Sequence, residues 1–129
     1  MKITLEKSES EKIFHGALCN GGGLAYCGVK INYSDKEYAA AKKSLQKKTN
    51  DTVCLEDVWL EILRRGGTLT MIDEECGMKP ASIKLSDVHR RVAKTEVRHL
   101  MDAINEQDDD ATTAEVILQT VFYGKVIFG

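Results

Sequence analysis

The chain has 129 residues, 43% of them hydrophobic and 29% charged, with a formal net charge of −2 at pH 7. A chain of this length can bury roughly two-thirds of the surface it exposes when unfolded, so one ordinary domain needs neither a metal nor a disulfide to hold it. One proline and ten glycines exclude a fibrous or linker-rich chain, and no apolar run reaches the roughly 18 residues of a membrane span.

Met1 to Glu6 alternates Ile3 and Leu5 with Lys2, Thr4 and Glu6, the period-2 pattern of a half-buried strand. The same charged alternation is unlike a signal peptide, so the expected setting is a reducing cytoplasm. Ser8 and Glu11 have the spacing of a capping box opening a helix with Ile13, Phe14, Ala17 and Leu18 on one face. Gly21-Gly22-Gly23 ends that helix, and Leu24 to Tyr33 reads as a strand. Ser34 and Glu37 cap a helix over 35–47 with Tyr38, Ala41 and Leu45 as its apolar line.

Leu55, Val58, Trp59, Ile62 and Leu63 form the clearest amphipathic stripe, and Gly66-Gly67 can end it in a left-handed conformation. Thr68 to Asp73 and Ser82 to Leu85 read as a hairpin across a loose loop. Ser86 caps a short helix to about Ala93, and Thr95 caps another with Val97, Leu100, Met101 and Ile104 aligned. The last helix opens at a third capping box, Thr112 to Glu115. Val116, Ile117, Leu118, Val121, Phe122 and Tyr123 leave it so little polar surface that it must be central to the core or face a partner.

The expected fold is α+β, an antiparallel sheet of about four strands packed against four to six helices. It spans 1–129 as one domain, with possible sub-regions 1–50 and 51–129 on either side of the polar stretch 49–51. Residues 1–50 carry nine lysines against five acids, and residues 51–129 nine basic residues against fifteen acids. The two halves therefore stand at +4 and −6. Such a division suits packing of complementary surfaces better than a uniform field aimed at nucleic acid.

Several constellations bear on chemistry. Cys19, Cys27, Cys54 and Cys76 are spaced too widely for a C-x-x-C redox or zinc pair, and as reduced, partly buried side chains they act as small hydrophobes. His15 and Cys19, at i and i+4, are neighbours on one helix side, so an imidazole could assist a thiol there. No orienting acid accompanies them in sequence. The three glycines leave a helix and enter a strand, the reverse of a phosphate-binding loop. Asp108-Asp109-Asp110, with Glu106 and Asp102, lacks the alternating spacing of a calcium loop. Neither a cofactor nor a metal is expected.

Arg90, Arg91, Lys94 and Arg98, with His99, place basic groups across a helix, a turn and a second helix. This is the pattern of a helix-turn-helix over 86–106 that would put Arg98 and His99 near base edges. The turn lacks glycine and the neighbouring acidic loop would repel a duplex, so nucleic acid is the alternative and not the favoured partner.

Three stretches, Ile13–Asn20, Val53–Val58 continuing to Gly66-Gly67-Thr68-Leu69-Thr70, and Asp108–Gly129, together resemble a family of small uncharacterised proteins carried by phages and mobile elements of gut bacteria. The resemblance implies a mobile-element setting and no catalytic residue. The expected function is accordingly that of a non-catalytic accessory protein. It would bind a protein partner, as a homo-oligomer and without a membrane, through Phe122, Tyr123, Val126 and Phe128 of the apolar carboxyl-terminal stretch. A second alternative is a small-ligand or thiol-dependent protein using His15 and Cys19.

Overall fold

The computed structural model describes residues 4–21, 28–49, 52–75, 79–105 and 111–126. Along these run α1 (Lys7–Asn20), β1 (Val29–Asn32), α2 (Asp35–Lys48), α3 (Leu55–Arg64), β2 (Leu69–Asp73), β3 (Ala81–Ile83), α4 (Leu85–Arg91), a 3-10 turn (Val92–Lys94), α5 (Val97–Asn105) and α6 (Ala111–Tyr123). The α+β class stands, but the described residues hold three strands rather than about four. The strand expected over Met1–Glu6 is absent from its described part. Glu6 instead becomes the residue before α1 and donates its backbone N–H to Glu9 Oε1 at 3.0 Å, which commits that group to a helix start. Residues 1–3 and 22–27 lie outside the described residues, and of the strand expected over 24–33 only Val29–Asn32 forms one.

The sheet is antiparallel with β2 in the centre. Val29 pairs with Asp73 and Ile31 with Met71 on one side, and Leu69 pairs with Ile83 and Met71 with Ala81 on the other. Alternation therefore puts Val29, Ile31, Leu69, Met71, Ala81 and Ile83 on one face. Helices α3, α4 and α6 pack on the sheet. The opposite face carries Lys30, Asn32, Thr70 and Ser82, with the Thr70 and Ser82 hydroxyls 2.8 Å apart.

Acids three residues into a helix recur as start signals. Asp57 Oδ2 accepts the Cys54 N–H at 3.2 Å to open α3, and Asp87 Oδ2 accepts the Lys84 N–H at 2.9 Å to open α4. Ser34 Oγ accepts the Glu37 N–H at the start of α2, as its spacing predicts. Ser86, Thr95 and Thr112 do not cap as expected. Ser86 lies inside α4, α5 begins only at Val97, and α6 begins at Ala111. At the other end of α3, Gly66 takes the left-handed conformation, φ +86°, and its N–H reaches Leu63 O at 3.0 Å.

The buried side chains form one cluster drawn from both sub-regions. Phe14, Ala17, Leu18, Val29 and Ala41 join Val58, Ile62, Leu63, Leu69, Met71, Leu100, Ile117, Val121 and Phe122. Helix α6 packs along α1, where the Phe14 and Phe122 ring centroids are 6.2 Å apart. Its nearly unbroken apolarity has its reason in this central position. At the edge of the cluster Tyr33 stacks on Tyr38 at 5.0 Å and tilts against Trp59 at 6.2 Å.

Candidate functional site

His15 and Cys19 occupy the last two turns of α1. The helical spacing brings Cys19 Sγ to 4.0 Å from His15 Nδ1, the outer limit of a sulfur hydrogen bond. The acid that the sequence does not place beside them comes from α3. Asp57, 42 residues on, sets Oδ1 2.6 Å from His15 Nε2 while its other oxygen holds the α3 start. A carboxylate accepts, so the ring proton belongs on Nε2 and the Nδ1 lone pair faces the thiol. Cys19, His15 and Asp57 thus lie in a line. Because the two outer groups engage opposite nitrogens of one ring, they do not converge on a point as metal ligands must. Among the described residues no cluster of His, Cys, Asp and Glu has the arrangement of a metal site.

Cys19 and Cys54 are both exposed free thiols, in place of the partly buried ones expected; Cys27 and Cys76 lie outside the described residues. Partial burial of its sulfur pushes the Cys19 pKa above the ordinary 9.0, and the Glu56 and Asp57 carboxylates and Cys54 add to the rise. Its place in the last turn of α1, at the negative end of the helix dipole, acts the same way. At neutral pH the thiol therefore rests protonated.

Beside Cys19 a cavity of about 330 Å³ opens between the sheet and the helices, lined by Leu18, Val29, Ile31, Trp59, Met71 and Leu118, with Lys30 and Glu56 as its charged members. Trp59 contributes a buried Nε1–H that has no partner among the described residues.

A second concavity, of about 440 Å³, lies between α1 and α5. It is lined by Glu9, Lys12, Ile13, His15 and Gly16 from one helix and Ala103 and Ile104 from the other. Above it α5 exposes Val97, Met101 and Ile104 at 39%, 43% and 42%, three of the five large exposed hydrophobics among the described residues. They stand at i, i+4 and i+7, one stripe of a helix whose other side buries Leu100 and Ala103.

The carboxyl-terminal surface expected to bind a partner is differently arranged. Phe122 is 2% exposed and packed in the core, so it is not available to a partner. Tyr123 is half-buried against the same cluster, Val126 is exposed, and Phe128 lies outside the described residues.

The basic constellation is also partly committed. Arg91 donates from Nη1 to Val121 O at 2.8 Å and to Phe122 O at 3.4 Å, closing the carboxyl end of α6. Arg90 pairs with Asp87 at 2.5 Å, and Arg98 with Glu96 at 3.5 Å. Lys94 is exposed, whereas His99 is buried with Nδ1 3.3 Å from Thr113 Oγ1. The triple-aspartate loop lies outside the described residues. No described helix is long and apolar enough to cross a membrane.

A further cluster has no sequence signal. Glu11 accepts from Arg64 Nε at 2.8 Å and lies 2.9 Å from His89 Nε2, joining α1, α3 and α4. Comparison with protein-family models, with curated proteins and with solved structures returns no match.

Proposed function

We propose that the protein acts by protein–protein interaction and that its partner is a second copy of itself, docked through the exposed face of α5. The observation that carries this reading is the Val97–Met101–Ile104 stripe, an apolar line on a helix whose opposite side is already packed. A two-fold pairing of antiparallel α5 helices about Met101 sets Val97 near Ile104 of the second copy. It also brings the exposed Arg98 toward Asp102 of that copy, so the face is self-complementary in charge as well as shape. The family resemblance supports a setting among accessory proteins of phages or mobile elements, in the cytoplasm of a bacterial host. Nucleic acid is the weaker reading, because Arg91 serves α6 and Arg90 pairs with Asp87.

Light scattering and analytical ultracentrifugation test the proposal. The expected result is a dimer at micromolar concentration that Met101→Glu and Ile104→Glu convert to a monomer with an unchanged circular dichroism spectrum. A wild-type monomer at about 100 μM, far above the Kd of a specific interface, overturns it.

A further inference from the structure

We propose that Cys19 is an acyl-acceptor thiol, loaded from acyl thioesters whose hydrocarbon chain occupies the cavity beside it. Two independent observations meet at this position: the Cys19–His15–Asp57 line and the apolar cavity that Cys19 helps to line.

The line supplies what a resting, protonated thiol lacks. His15 Nδ1 is placed to take the Sγ proton as sulfur attacks, and Asp57 holds the ring in the tautomer that leaves this nitrogen free. His15 is then the general base that touches the reacting atom, and Asp57 is a positioning residue. In the step itself, Cys19 Sγ forms a bond to the carbonyl carbon and the carbon–sulfur bond of the donor breaks. The thiol proton passes to His15 and from there to the departing thiolate. One thioester replaces another, so no oxidant or reductant is needed and the exchange is close to thermoneutral, as it would not be from an oxygen ester.

The cavity selects the acyl group. Its volume stands at the lower end of those that hold small molecules, and Leu18, Val29, Ile31, Met71 and Leu118 offer hydrocarbon walls. Lys30, the cationic member of the lining, pairs with Glu74 at 2.7 Å, so the cavity presents no free ammonium that would call for a carboxylate instead.

Cys54 provides an internal reference, being an exposed thiol on the same chain without an imidazole bonded to it. The experiment treats the full chain with octanoyl and acetyl thioesters of N-acetylcysteamine and follows acylation by intact-mass and peptide mass spectrometry. The expected result is one octanoyl group on Cys19, removable by hydroxylamine, gained faster than acetyl and at least 10-fold faster than any acylation of Cys54. His15→Gln is expected to slow it about 100-fold, the usual size of a general-base contribution. Asp57→Asn is expected to alter the pH profile of the rate, which a purely structural role would leave in place. Equal rates at Cys19 and Cys54 in the wild-type protein overturn the proposal without recourse to any variant. So do the absence of acyl gain, a rate indifferent to chain length, or an unchanged rate in a folded His15→Gln protein.

Discussion

Replacing Glu11 by glutamine removes one charge from the point where three helices meet and leaves the shape almost unchanged. The Glu11 side chain is 15% exposed, its partner His89 18% and Arg64 48%. A hydrogen bond to a charged group nets about 1.5–3 kcal/mol when sheltered. The Arg64 contact is half in solvent and belongs nearer the 1 kcal/mol limit of exposed pairs. Glutamine keeps one acceptor for one of the two donors, so the expected loss is about 2 kcal/mol, or about 8 °C in Tm for a chain of this size. Urea unfolding near pH 7 measures it, and a double-mutant cycle with Arg64→Met should return a coupling of about 1 kcal/mol.

Acid sharpens the same test. Burial is the largest single influence on the Glu11 carboxyl and acts upward. The hydrogen bonds and charges of Arg64 and His89 together outweigh it and hold the group below its ordinary 4.5. The folded state thus takes up this proton less readily than the unfolded state. The contribution is present in full above the unfolded value and is lost as pH falls through the folded one. The difference between wild type and Glu11→Gln should therefore shrink as pH falls below the ordinary carboxyl value and on through the lower folded one. A Glu11→Gln protein within 0.5 kcal/mol of wild type near pH 7, the ordinary scatter of surface substitutions, refutes the reasoning. A difference that persists unchanged in acid does so as well.

Two further outcomes are expected. Arg91→Ala should cost about 1–3 kcal/mol, because two buried carbonyls at the end of α6 lose their donor; thermal melting checks this, and an unchanged Tm would return Arg91 to the pool of free basic groups. At the α3 stop, Gly67→Ala should cost more than Gly66→Ala. An added Cβ at 67 meets Ile62 Cγ2 at 2.7 Å, Ile62 O at 2.9 Å and the Glu37 carboxylate, while at 66 it meets nothing and only the left-handed backbone, about 1–2 kcal/mol, opposes it. Equal melting temperatures for the two variants would contradict the packing.

What could be read from the sequence divides along the range of the interactions. Helices α2 and α3 and the hairpin strands fall close to where periodicity puts them, because Tyr38, Ala41 and Leu45, or Leu55 through Leu63, need only their own helix to define an apolar face. The start of α1 is displaced by two residues from the expected cap, for an instructive reason. Ser8 and Glu11 match the capping spacing, but Glu6 and Glu9 do the capping, and Glu11 is left to reach Arg64 and His89. Reading Glu11 as a cap concealed its tertiary role. The apolarity of α6 shows that the helix must be covered without saying by what, and Phe14 of the same chain turns out to cover it. His15 and Cys19 are visible as a pair because one helix holds both, whereas Asp57 arrives only through the docking of α3.

That dependence bears on how the chain can be divided. The polar stretch at 49–51 is where a protease, a gene fusion or a recombination event would most naturally separate a front piece from a back piece. Either piece would carry an incomplete relay, the thiol and imidazole on one and the orienting carboxylate on the other. Mixing two separately made fragments is then an assembly reaction in which the Asp57–His15 contact marks completion.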